Sequence, residues 1–202
     1  VLRYAISDGA RFGRNAAARH AGLLAVAQRW ARDAVDFVQL REKDLDGGEL
    51  LSVAEALATI FREHGGRTRL LVNGRADIAV AAGAAGVHLT SRPGELTPQQ
   101  VRRVFAAAGW PDPPISVSCH SVAEVERARN AGVDLILFGP VFEKRVAGTL
   151  VAAGEGLATL AAACRAAGDT PVLALGGVTE RNSTACLSAG AAGVAAIRLY
   201  SC

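Results

Sequence analysis

Lysine is almost missing from this chain. Of its 22 basic residues only Lys43 and Lys144 are lysines, and the rest are arginine. An Arg- and Ala-rich bias of this kind follows genome composition, so the two lysines that remain are worth placing. Clustered charge is missing too: the net charge is only +3 and the basic residues are scattered, which argues against a nucleic-acid partner. No apolar run approaches the roughly 18 residues of a membrane span, and the charged, Ala-rich start does not read as a signal peptide. A soluble cytoplasmic protein with no membrane partner is the expectation. The four cysteines, Cys119, Cys164, Cys186 and Cys202, show no CxxC or Cys/His zinc spacing. Free buried thiols in a reducing compartment are therefore expected, rather than disulfides or a zinc module.

What is present is a core. Half of the 202 residues are hydrophobic and a fifth are charged, which excludes a disordered chain and points to one domain spanning 1–202. Eight short apolar runs read as strands, at 3–7, 36–40, 69–73, 86–89, 115–118, 134–138, 171–175 and 193–197. Being apolar throughout, they suit parallel strands covered on both faces. Ala/Leu-rich helical stretches separate them, roughly 14–33, 47–64, 75–83, 97–108, 121–131, 156–167 and 179–189. Thr97-Pro98 marks one helix start and Ser121 with Glu124 reads as a capping box at another. Gly83, Gly132, Gly168 and Gly190 mark helix ends.

The phrase AAGAAGVHL (81–89) returns as NAGVDLILF (130–138) and SAGAAGVAAI (188–197), each a helix stop, a tight turn and an entering strand. Eight strands alternating with helices in this length predict a single (β/α)8 TIM barrel, with the final helix missing or shortened. A doubly wound open sheet would use fewer strands.

Chemistry in such a barrel gathers at the C-terminal ends of the strands. Arg41, Glu42 and Lys43 follow the second predicted strand. Strand alternation would put Arg41 and Lys43 on one side for anion recognition and turn Glu42 away. Asn73 ends the third strand. His88 in the fourth reads as a core histidine tying a loop to its neighbour. His120 ends the fifth and is the acid/base candidate, because imidazole changes protonation near neutral pH; Cys119 beside it reads as structural. Lys144 follows the sixth strand. Gly176 and Gly177 after the seventh would offer backbone N–H groups to a phosphate, joined by Ile197 and Arg198 after the eighth.

The stretches YAISD, VQLREKDL, LLVNGRADIAVAAGAAGVHL, SVSCHSVAEVERARNAGVDLILFGPVFE and PVLALGGVTERN with AGAAGVAAIRL run in order over nearly the whole chain. Together they resemble the thiamine phosphate synthase superfamily, whose two branches, the synthase and the TenI-like thiazole tautomerase, are barrels that bind a thiazole phosphate. The synthase branch couples a pyrimidine pyrophosphate to thiazole phosphate with magnesium held by two aspartates. One follows the strand-three asparagine, where this chain has Gly74; the other follows the strand-four histidine, where LTSRP (89–93) offers no carboxylate. The pyrophosphate segment, threonine- and lysine-rich in the synthase, reads FEKRVAGTLVAAGEG here.

The resemblance is nearer to the tautomerase, on VNGR (72–75) and HS (120–121). It implies an isomerase that aromatises a carboxylated dihydrothiazole phosphate by proton transfer, with His120 catalytic and no metal or cofactor. Arg41, Lys43, Asn73 and Lys144 would bind substrate; Gly176, Gly177, Ile197 and Arg198 would bind phosphate. Lys43 departs from that branch, since the synthase uses it for pyrophosphate. A synthase with a rearranged metal site and a non-catalytic phosphate-binding barrel are the alternatives. The partner expected is a small-molecule thiazole phosphate, and a homo-oligomer is compatible with the sequence.

Overall fold

The computed structural model describes residues 1–90, 94–146 and 149–200, with the side chains of 144–146 and 149–152 outside that description. Eight parallel strands close into a barrel: β1 (Leu2–Ile6), β2 (Phe37–Leu40), β3 (Arg69–Asn73), β4 (Gly86–Leu89), β5 (Ile115–Cys119), β6 (Leu135–Phe138), β9 (Val172–Leu175) and β10 (Gly193–Ala196). Each pairs with the next in chain order, and β1 pairs with β10 in parallel from Leu2 opposite Gly193 to Ala5 opposite Ala196. Between β6 and β9 the chain makes an antiparallel hairpin of β7 (Lys144–Val146) and β8 (Thr149–Ala152) that stands outside the barrel. The expected eight barrel strands are all found. The hairpin is an addition that strands of three and four residues do not announce in sequence.

Helices α1 (Ala16–Arg32), α2 (Gly47–Glu63), α3 (Ala76–Ala81), α4 (Pro98–Ala107), α5 (Val122–Asn130), α6 (Gly156–Ala167) and α7 (Glu180–Ser188) link the strands. Their starts are written in side chains. Asn15 accepts the Ala18 N–H ahead of α1, and Asp46 with Glu49 and Thr97 with Gln100 form reciprocal boxes ahead of α2 and α4. The expected box ahead of α5 is displaced by one residue. Ser121 does accept the Glu124 N–H, but the Glu124 carboxylate reaches back to the N–H of His120 instead of Ser121. The four glycines expected at helix ends all have positive φ, between 60° and 103°. Among the described residues no helix follows β10; residues 197–200 form a bend and a turn.

Strand alternation divides the apolar residues into two layers. Tyr4, Ile6, Phe37, Leu71, Leu135, Leu137, Leu173 and Ala195 fill the barrel interior. Ala5, Val38, Val72, Val87, Ile136 and Ala174 face outward to helix residues such as Leu23, Trp30, Leu57, Val101 and Leu160. Trp30 is buried and donates its indole N–H to the carbonyl of Tyr200 at 2.6 Å, strapping the turn after β10 onto α1. No helix among the described residues is long and apolar enough to cross a membrane. Cys119, Cys164 and Cys186 are free thiols, as expected, and Cys202 lies outside the described residues.

Candidate active site

The barrel interior is not wholly apolar. Gln39, His88 and Ser116 are buried inside it, and every one has a partner. His88 Nδ1 lies 2.8 Å from Ser116 Oγ, and its Nε2 lies 3.0 Å from Ser118 Oγ. The Tyr4 hydroxyl contacts Ser116 Oγ at 2.9 Å and accepts from the Gln39 amide at 3.2 Å. Burial, with a smaller contribution from the Arg41 charge, pushes His88 down to about 3, so the ring is neutral at ordinary pH. His88 is thus the core histidine expected. The chain of contacts ends at Ser118, half-buried one strand-step above Ser116. Sequence reading passed over this relay, although the period-two serines of ISVSC signal it.

Above this layer, the ends of β5 and β6 carry His120. Its side chain is exposed, and Nδ1–H donates to the carbonyl of Gly139. That fixes the tautomer and leaves Nε2 as the ring atom available to a ligand. Cys119 is buried and its thiol is pushed up to about 12, chiefly by burial, which fits the structural role expected of it.

The residues after β2 depart from the expected alternation. The chain leaves the strand at Leu40, so Arg41, Glu42 and Lys43 do not sort onto opposite faces, and all three line one cavity of about 830 Å³. Arg14 and Arg19 also line it and add positive charge, and Arg19 reaches Asp44 at 3.7 Å. Neither His120, Asn73 nor Gly177 is on this wall, so the cavity gathers only part of the expected site. Glu42 is already engaged: the Ser7 hydroxyl donates to Oε1 and the Gly9 N–H donates to both oxygens. Burial nonetheless raises its carboxyl above the ordinary range.

At the end of β3, Asn73 is half-buried, and its Oδ1 is buried with no partner among the described residues. Gly74 follows at φ 66°, its N–H donating to the His88 carbonyl at 2.8 Å. Both carboxylate oxygens of Glu95 stand 3.8 Å from the point a Cβ on Gly74 would occupy. The Thr90 N–H lies 3.4 Å from Glu95 Oε2, linking that acid to the end of β4. An acid therefore lies over position 74 although the local pattern has none. Sequence reading missed it because it looked for a carboxylate within 89–93, and residues 91–93 themselves lie outside the described residues.

Across the mouth, Gly176 and Gly177 have φ of 91° and 66°. The loop after β6 is laced to them: the Val141 N–H donates to the Leu175 carbonyl at 2.8 Å, and the Phe142 N–H to the Gly176 carbonyl at 3.1 Å. A Cβ on Gly177 would come within 2.7 Å of Phe142 Cβ, so both conformation and packing demand glycine. No described hydrogen bond uses the Gly176 or Gly177 N–H. Ile197 is half-buried and its carbonyl accepts from Arg11 at 3.4 Å, while Arg198 is exposed. Lys144 lies in β7, and its side chain is outside the described residues.

The family model described as thiamine monophosphate synthase matches residues 4–199. The thiamine-phosphate synthase of Methanoculleus marisnigri is 39% identical over 178 residues, covering 85% of this chain and 77% of that protein. That of Chlorobium luteolum is 35% identical over 176 residues, covering 86% and 77%. The solved thiamine phosphate pyrophosphorylase of Pyrococcus furiosus superposes with a TM-score of 0.75 at 24% identity, covering 97% of this chain and 85% of that one, a likeness of fold.

The relatives are named for the transferase. That corrects the expectation of an isomerase, a thiazole tautomerase with His120 as its base. The expectation leaned on missing acids, and Glu95 over Gly74 removes its premise in part. With a closed eight-stranded barrel, matching motifs in order and relatives of this similarity, the chain belongs to the thiamine monophosphate synthase family.

Proposed function

We propose that the protein is a transferase of the thiamine-phosphate synthase type, joining a pyrimidine pyrophosphate to a thiazole phosphate. The observation that carries this reading is the likeness to relatives named thiamine-phosphate synthase at 35–39% identity over most of both chains. The rim of the barrel supplies fitting parts. Gly176 and Gly177 present two N–H groups that no described hydrogen bond uses, close in sequence to the N-terminus of α7, for the thiazole phosphate. Arg41 and Lys43 stand ready for a second anion along the charged cavity. Ser118, its hydroxyl tied to neutral His88, offers a further polar contact.

The reaction breaks one C–O bond and forms one C–N bond, and pyrophosphate leaves with the bonding pair. No proton has to move to or from carbon. The chain's task is to bind two phosphorylated partners, align nitrogen with carbon, and keep water from the carbon as its bond opens. The resemblance implies magnesium, which when bound neutralises charge on the departing pyrophosphate. Oxygen donors suited to it stand at Asn73, whose Oδ1 has no partner among the described residues, and at Glu95. The expectation of a metal-free reaction belonged to the isomerase reading and goes with it.

The test is direct. Purified protein given both substrates and Mg²⁺ should form thiamine phosphate and release pyrophosphate in equal amounts, measured by chromatography and a coupled phosphate assay. Absence of both products, with thiazole phosphate bound, would leave a phosphate-binding barrel without transferase activity.

A further inference from the structure

We propose that Tyr4 and Ser116 are positioning residues, which act through His88 to make the Ser118 hydroxyl a hydrogen-bond donor towards the barrel mouth. The inference rests on the transferase reading above and deepens it by naming what Ser118 selects. That is an uncharged acceptor, an unprotonated ring nitrogen of the heterocyclic substrate.

The direction follows from where each proton can go. Tyr4 and Ser116 are fully buried and His88 is 2% exposed, so their protons need acceptors within the group. Burial raises the Tyr4 hydroxyl above its ordinary value, and it keeps its proton. The Tyr4 oxygen already accepts from the Gln39 amide at 3.2 Å, so its own proton passes on to Ser116 Oγ at 2.9 Å. Ser116 then has one proton to give, and His88 Nδ1 at 2.8 Å is its acceptor. The reverse order, with Nδ1–H donating to Ser116, would leave a buried hydroxyl proton with no acceptor among the described residues. Nδ1 therefore accepts, the imidazole proton sits on Nε2, and Nε2–H donates to Ser118 Oγ at 3.0 Å.

No other described hydrogen bond uses the Ser118 hydroxyl, which is half-buried and nearer the mouth than Ser116. Its proton is left for a ligand. A doubly protonated His88 would donate from Nε2 as well, so Ser118 accepts from the ring in either charge state. The groups behind it, Tyr4, Gln39, Ser116 and neutral His88, carry no charge. Arg14, Arg19, Arg41 and Lys43 instead line the cavity after β2, in which Ser118 has no part. An uncharged acceptor suits the serine and an anion suits the cavity.

The experiment has a spectroscopic arm and a kinetic one. Long-range proton–nitrogen spectra of the purified chain, with His88 assigned by the loss of its signals in His88→Gln, should place the proton on Nε2. A proton on Nδ1 overturns the proposal. Ser116→Ala should bring in a share of the Nδ1–H form, because the group that donated to Nδ1 is gone. In thiamine phosphate formation, Ser118→Ala should lower kcat/KM about tenfold, the scale of one net hydrogen bond. Ser116→Ala should lower it about threefold by itself and have almost no effect once Ser118 is alanine, since it acts through that hydroxyl. Equal losses in the two backgrounds mark a packing effect and overturn the proposal. Tyr4→Phe removes the proton that sets the direction and gives the same test should Ser116→Ala not fold. Calorimetric binding of the pyrimidine pyrophosphate to the same variants keeps this apart from the transferase reading. Coupled losses of binding, with no product from wild type, retain the relay and remove the transferase; product with equal losses does the reverse. No binding of the pyrimidine pyrophosphate by wild type overturns both.

Discussion

The imidazole of His120 gives its Nδ1 proton to the Gly139 carbonyl, and its backbone N–H goes to Glu124. Both contacts join β5 to its neighbours, so the residue works as a strap at the rim whose remaining nitrogen can touch a ligand. The transfer proposed above moves no proton to or from carbon, and on that reading His120 has substrate to orient and no proton to carry. His120→Asn should therefore lower kcat for thiamine phosphate formation by less than about tenfold, short of the roughly 10²–10⁴ that general acid/base catalysis supplies. Steady-state kinetics would decide, and a loss within the larger range would make His120 a proton carrier in the reaction. Single residues were legible to different depths. His88 and Cys119 could be read because their positions in apolar runs dictate burial. Glu95 could not, since its nearness to Gly74 is a tertiary contact with no local sequence signal.

Elements were the most legible level, because capping residues and glycine stops are local signals. Where the reading slipped, the cause was equally local: Arg41, Glu42 and Lys43 lie just past the strand, where the two-residue period no longer applies, and the β7–β8 hairpin is too short to impose a period. The start of α5 deserves a test because it supports the site. Ser121 accepts the Glu124 N–H at 3.2 Å, and the same glutamate holds the His120 N–H. Ser121→Ala should cost about 1 kcal/mol in urea unfolding through the lost cap. The altered first turn should also raise KM more than it changes kcat, since it shifts a residue that positions ligand. An unchanged unfolding midpoint would show that the cap contributes nothing.

For the whole molecule, the buried polar layer sets a dependence on pH. His88 sits near its ordinary value of 6.5 when the chain is unfolded and at about 3 when folded. Between those values the unfolded state holds a proton that the folded state refuses, so stability is lost as pH falls through this window and is unaffected by this group above it. From pH 6.5 towards 5 the slope from His88 should approach about 1.4 kcal/mol per pH unit. Glu42 acts in the opposite sense, because burial raises its carboxyl and the folded state takes up that proton first. Comparing urea unfolding of wild type and His88→Gln isolates the histidine, and equal slopes would refute its part. The tie between Trp30 and the Tyr200 carbonyl has an optical consequence. Trp30 is 1% exposed and the second tryptophan, Trp110, is 44% exposed. Iodide should quench Trp110 and leave a blue-shifted emission from Trp30 alone. That residual light reports whether the segment after β10 stays fastened to α1, and so whether the seam between the first and last barrel strands is shut.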